Sequence, residues 1–348
     1  MEPITIGCIR LYPLGIAAAL LLIPYFAVTV YTMKKNGLKR ETPSIFAILM
    51  IPLSFVCARL GYCLLTIDQL IQNSDLLSVF RVGEGGFLLW GAIAGVLLAA
   101  VITGKITHQP GGKIADSVIV QTCLVIAAIK LICGLMFTEQ GTGFNLSSWF
   151  DPEETDYAYR YSLWILEDYS FFERFPFAVE NYYGRMCWAI FVPEALWACV
   201  MAWITSRSKT KAGGRTSLFI ILYACGQILW EAMHRGQVIY LPWQGFVKAN
   251  QVLCAAALIT VICICLKKLD KEERGKAALR CFAQVIPAVL IVVAMEFAAF
   301  EKKITIIEAW PADVCHLIEG LACLWMGLAA GRVWKRAYAL HSGPGLVK

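Results

Sequence analysis

Apolar residues are not spread evenly along this chain. They gather into nine long runs, near 13–33, 44–66, 85–104, 115–138, 186–205, 215–233, 248–267, 280–299 and 312–333, parted by polar links. A helix needs about 20 apolar residues to cross hydrocarbon. A lone strand there would leave its backbone groups unsatisfied. The pattern therefore predicts an all-α polytopic membrane protein. The third and sixth runs have the least sharply marked ends.

Composition agrees. The chain has 348 residues, of which 59% are hydrophobic and only 16% charged. Soluble domains carry about 25% charged residues. The formal net charge is +6, and it is placed unevenly. KKNGLKR follows the first run, GKITHQPGGK the third, SRSKTKAGGR the fifth, KKLDKEERGK the seventh, and GRVWKR closes the ninth. The alternate links are less basic on the whole, although EKKITIIEAWP carries two lysines. The positive-inside rule then sets the N-terminus outside and the C-terminus in the cytoplasm. The opening MEPITIGCIRLYPLGI lacks a small-residue cleavage site and reads as retained. No basic stripe is interleaved with exposed aromatics, so nucleic acid is not an expected partner.

The longest link, around 139–185, is rich in acids and aromatics and reads as an extracytoplasmic insertion, either a membrane-surface cap or a loop packed on helix ends. Most of the 14 cysteines lie inside apolar runs and form no CxxC pair. They read as small hydrophobes, with neither a metal site nor a disulfide framework expected.

Charged groups inside apolar runs are costly and commonly face a polar cavity. Here they are Arg59, Asp116, Lys130, Glu194, Glu231 and Glu296. His234 and Arg235 follow Glu231 on the same helical face. Each has a plainer reading. Arg59 can snorkel to the surface. Lys130 and Glu231 can pair to hold helices together. Asp116 can act as a first-turn acid, and Glu296 can serve packing alone. Taken together, four basic groups (Arg59, Lys130, His234, Arg235) against Glu194 and Glu231 describe a cavity of cationic bias, suited to a phospholipid phosphate.

Several blocks, in order, carry a family resemblance: IGCIRLYPLGI with Gly7, Arg10, Tyr12 and Gly15; CARLGY with Arg59 and Tyr62; GGFLLWGAIAG with Trp90 and Gly91; Asp116 standing fourteen residues before Lys130; AIFVPEALW with Glu194; LYACGQILWEAMHR with Tyr223, Gln227, Glu231, His234 and Arg235; and the pair Asn250-Gln251. In these the chain resembles the bacterial prolipoprotein diacylglyceryl transferases over roughly residues 1–270. The resemblance implies a seven-helix transferase core with an external N-terminus and no metal or organic cofactor. Residues 271–348 would add about two further transmembrane helices. The implied activity is transfer of diacylglyceryl from phosphatidylglycerol to a lipobox cysteine, with release of glycerol phosphate. The chain departs from the family pattern at three places: Trp90 replaces a histidine or tyrosine, Lys130 an arginine, and Gln227 an arginine.

On this reading Lys130, Glu231, His234, Arg235 and Glu194 are catalytic candidates, and Arg59, Trp90, Gly91, Asp116, Tyr62, Tyr223, Gln227 and Gln251 bind substrate. An indole cannot act as a base, but it can donate one hydrogen bond or wall the cavity. The partners are phosphatidylglycerol or another anionic phospholipid and a lipobox-containing preprotein, with the chain a monomer. Two alternatives stay open: a same-scaffold enzyme moving another phospholipid-derived group, and a non-enzymatic lipid-binding, transport or assembly protein.

Overall fold

The computed structural model describes residues 4–6, 9–11, 13–73, 76–81, 86–137, 175–180, 186–233, 239–242, 247–299 and 312–339. Among these the chain is helical apart from two small hairpins and the links. The helices are α1 (Pro13–Lys35), α2 (Thr42–Leu65), the short α3 (Ile67–Gln72), α4 (Leu89–Thr107), α5 (Gly111–Phe137), α6 (Phe191–Arg207), α7 (Gly214–Met233), α8 (Ala249–Lys267), α9 (Lys271–Ala299) and α10 (Ala312–Tyr338). The hairpins pair β1 (Ile4–Ile6) with β2 (Ile9–Leu11) and β3 (Ala178–Glu180) with β4 (Met186–Trp188), both antiparallel.

Among the described residues, eight helices are long and apolar enough to cross a membrane. The ninth, α6, has 17 residues and is about 25 Å long. Large apolar side chains such as Leu20, Ile23, Ile48, Leu196, Leu290 and Leu317 point outward. In water a surface of this kind would be an aggregation hazard; in a bilayer it is the lipid-facing surface.

The structure corrects two expected boundaries. The run expected as a helix from 186 begins as β4, which pairs with β3, and its helix starts at Phe191. That shift leaves Glu194 in the first turn of α6. The eighth run extends back to Lys271, because KEERGK continues the helix outward with Glu272 and Glu273 at its positive N-terminal end. The all-α architecture holds, with the two hairpins of three residues per strand as small additions to it.

Packing explains the glycines of GGFLLWGAIAG. A Cβ on Gly91 would stand 2.3 Å from the Cys57 carbonyl oxygen, and one on Gly95 would stand 2.4 Å from Ser54 Cα. The two glycines, one turn apart, let the backbones of α4 and α2 touch.

The links α1–α2, α4–α5, α6–α7 and α8–α9 meet the end of α10 at one end of the bundle. Lys39 Nζ donates to the Thr107 carbonyl (2.7 Å), and Asn36 Nδ2 to Ser117 Oγ (2.7 Å). Thr210 bridges to Ala339, and the Lys268 ammonium lies 4.4 Å from the Tyr338 ring centroid. The core runs through three joined packing groups: α1, α2, α4 and α5; then α4, α5, α6 and α7; then α7, α8, α9 and α10.

Candidate functional site

Lys130 lies two turns before the end of α5, and Glu194 one turn into α6. Both are buried, at 8% and 4% exposure, and Lys130 Nζ sits 2.6 Å from Glu194 Oε1. Burial of one charge at this depth requires the other. Glu194 Oε1 also accepts from Gln227 Nε2 at 3.3 Å. The same amide nitrogen reaches Glu231 Oε2 at 3.5 Å, a weak contact, and Asn250 Nδ2 donates firmly to that oxygen at 2.6 Å. A polar chain, Lys130–Glu194–Gln227–Glu231–Asn250, thus crosses from α5 through α6 and α7 to α8. Tyr223, Gln227 and Glu231 are four residues apart, so one face of α7 carries all three.

Aromatic groups wall this chain. Trp90, one residue into α4, meets Tyr223 edge to face with centroids 5.0 Å apart. Tyr223 stacks on Phe219 at 5.6 Å. The Trp90 indole N–H is directed at Cys254 Sγ, 3.3 Å away on α8. Gly91, the next residue, lies against α2 as described above.

Arg59 and Tyr62 form a second group near the end of α2. The buried Arg59 guanidinium donates to three carbonyls: Val79 (3.2 Å), Gly86 (3.1 Å) and Arg81 (3.3 Å). Its carbon lies 5.8 Å from the Tyr62 ring centroid. A Cβ on Gly86, which has φ +78°, would come within 2.5 Å of that ring. Arg59 therefore ties the segment between α3 and α4 onto α2.

Asp116 is brought into neither group. Its Oδ2 accepts the Gly213 N–H at 2.8 Å, and its Oδ1 accepts the Thr216 N–H and hydroxyl at 2.8 and 2.7 Å. This carboxylate caps the N-terminus of α7 from the neighbouring helix. Fourteen residues of helix separate it from Lys130 by about 21 Å.

Gln251 donates to the Ile228 carbonyl at 3.3 Å and to Glu296 on α9. Lys130 pairs with Glu194, and Glu231 is held by Asn250, so the alternative of a Lys130–Glu231 pair is replaced. His234 and Arg235, Gly7 and Tyr12, and most of 139–185 lie outside the described residues. Sequence reasoning missed Lys248, His316 and Glu319. The signal available was HLIEG, a histidine and an acid one turn apart inside an apolar run.

A family model described as prolipoprotein diacylglyceryl transferase matches residues 3–267. The chain is 24% identical over 264 residues to the phosphatidylglycerol–prolipoprotein diacylglyceryl transferase of Listeria innocua, covering 74% of this chain and 86% of that protein. It is 26% identical over 239 residues to the protein of that name from Acaryochloris marina, covering 67% and 78%. Against the one from Shouchella clausii the identity is 23% over 274 residues, covering 76% and 90%. The matched stretch contains every member of the polar chain and stops at the end of α8. With its apolar helices and these bacterial relatives, the molecule is a multi-pass bacterial membrane protein. The family match takes in well over half of the residues, and the chain belongs to the prolipoprotein diacylglyceryl transferase family.

Proposed function

We propose that this chain transfers the diacylglyceryl group of phosphatidylglycerol to the thiol of a lipobox cysteine in a prolipoprotein, releasing glycerol phosphate. The supporting observation is the buried chain Lys130–Glu194–Gln227–Glu231–Asn250, spanning four helices within the family-matched residues.

The substrate thiol gives up its proton, since the thiolate is the nucleophile. Sulfur attacks the glycerol carbon that bears the phosphate. The S–C bond forms, the C–O bond breaks, and the electron pair leaves on the phosphate oxygen. Developing charge on that oxygen calls for fixed cations in a water-poor site. Lys130 is the cation assigned to it, aimed by Glu194. Lysine keeps the charge that an arginine would supply but lacks the bidentate fork. His234 and Arg235, next in sequence after α7, are assigned as base and further cation. Glu231 orients them. Trp90, Tyr223, Gln227 and Gln251 shape the wall against which the lipid lies. Arg59 and Tyr62 hold the segment that leads into α4 and Trp90, and Arg59 also supplies positive charge. Gly91 and Asp116 contribute through packing and capping.

The basic links gathered at one end of the bundle support placing that end in the cytoplasm, the N-terminus outside, and the chain in the cytoplasmic membrane. The polar chain then lies toward the outer leaflet, where a secreted preprotein arrives. Residues 1–270 form the transferase core with the insertion around 139–185, and 271–348 form an extension.

The test is direct. Purified full-length protein in phosphatidylglycerol vesicles receives a lipobox-cysteine peptide, and the peptide mass is followed. Addition of one diacylglyceryl unit with matching glycerol phosphate release is expected. A folded protein that yields neither overturns the proposal.

A further inference from the structure

The helices beyond the family match carry their own polar groups, and these converge on the end of α7. The last carbonyls of any helix lack intrahelical partners. In α7, Lys248 Nζ donates to the carbonyls of Glu231 (3.0 Å) and Ala232 (3.3 Å), and Gln251 Nε2 donates to that of Ile228 (3.3 Å). Both donors sit at the start of α8, on either side of Asn250, which holds the Glu231 carboxylate. A lysine at this position also suits the negative end of the helix.

Long side chains of this kind do not hold one geometry unaided. Glu296 of α9 takes both: its Oε2 lies 3.4 Å from Lys248 Nζ, and its Oε1 accepts from Gln251 Nε2. Behind them, α10 packs on α7 and α8 and places His316 Nδ1 2.9 Å from Glu319 Oε2. Glu319 is fully buried there.

We propose that Glu296 is a positioning residue for the transfer site: through Lys248 and Gln251 it fixes the last turn of α7 and so the Glu231 carboxylate. The inference rests on the reading of Glu231 as part of that site. It makes the two added helices a working part of the enzyme, holding the site from behind.

The experiment uses the full chain in phosphatidylglycerol nanodiscs, comparing wild type with Glu296→Gln, Glu296→Asp, Lys248→Met and the double variant Glu296→Gln/Lys248→Met. Two readouts run in parallel: peptide transfer kinetics, and hydrogen exchange of the amides in the last turn of α7. Glu296→Gln is expected to lower kcat by about 10- to 100-fold, as a small misplacement does, with a much smaller change in KM for phosphatidylglycerol, because Gln251 is one of several groups assigned to the lipid wall and the others are untouched. Exchange in residues 228–233 is expected to rise. Glu296→Asp recovers part of both, and the double variant is no worse than Glu296→Gln alone. Unchanged kcat in Glu296→Gln, or unchanged exchange in Glu296→Gln and Lys248→Met alike, overturns the proposal. A wild type without transfer overturns the functional reading instead, and the exchange readout still decides whether Glu296 fixes the turn.

Discussion

Replacing Glu194 with glutamine leaves the Lys130 ammonium buried beside a neutral amide. At 2.6 Å and an effective dielectric constant of about 20, the lost attraction is about 6 kcal/mol gross. Desolvation of both charges offsets part of this in the wild type, and one-sided removal of a buried pair costs about 3–5 kcal/mol net. Lys130→Met incurs a cost of the same order by taking the ammonium from the Glu194 carboxylate. The double variant Lys130→Met/Glu194→Leu removes both members of the pair and is expected to regain most of that stability. Its transfer activity is expected to stay absent, because the cation proposed to face the leaving phosphate is gone. Thermal unfolding in detergent gives the stability arm, and peptide mass gives the activity arm. Two results would refute the reasoning. Single variants as stable as wild type would mean that the pair is not buried and compensated as described. A double variant active at wild-type rate would make the pair structural only.

The remaining expectations are simpler. Asp116→Ala removes a cap on α7 and is expected to cost about 0.5–2 kcal/mol in thermal unfolding, with transfer per folded molecule far less affected than by any change at Lys130. Gly95→Val drives a side chain into the α2 backbone and is expected to cost more than about 3 kcal/mol, since backbone cannot rotate away, whereas Gly15→Ala, with open space around it, leaves unfolding unchanged. Arg59→Gln loosens the segment between α3 and α4, which limited proteolysis would read as faster cleavage between residues 74 and 88, together with slower transfer. Lys130→Arg keeps the charge and restores the fork, so it retains activity where Lys130→Ala loses about 100-fold or more.

Much of this architecture can be read from the order of apolar and polar residues. Runs of twenty apolar residues have one outcome in lipid, and Tyr223, Gln227 and Glu231 at fourfold spacing have to share a face. What the order of residues does not carry is which helix lies against which. Glu194 stands 64 positions after Lys130 in the chain, and only packing of α5 on α6 joins them. Trp90 offers an indole N–H whose nearest acceptor, Cys254, belongs to a helix made much later. Asp116 is an acid in the first turns of its own helix, yet it caps another. The start of α6 was misplaced because MCW reads as apolar and helical until its pairing with AVE is known. Glu319 escaped notice for the opposite reason: a single acid among LIEGLAC looks incidental until Lys248 and Glu296 are found beside it.

The seam between α10 and α7 has a consequence for how the molecule is made. Trp334 Nε1 donates to the Gly214 carbonyl at 2.7 Å, the Tyr338 hydroxyl meets Ser217 Oγ at 3.0 Å, and Lys211 N–H donates to the Tyr338 carbonyl at 3.2 Å. These are bonds between α10 and residues made more than a hundred positions earlier, in α7 and the link before it. Until α10 is made, the Gly214 carbonyl and the Ser217 hydroxyl in the first turn of α7 lack their α10 partners. A chain stalled before α10 carries a complete family core by sequence but an unfinished one physically. Docking of α10 therefore completes the first turn of α7 only after the whole family-matched stretch has been made.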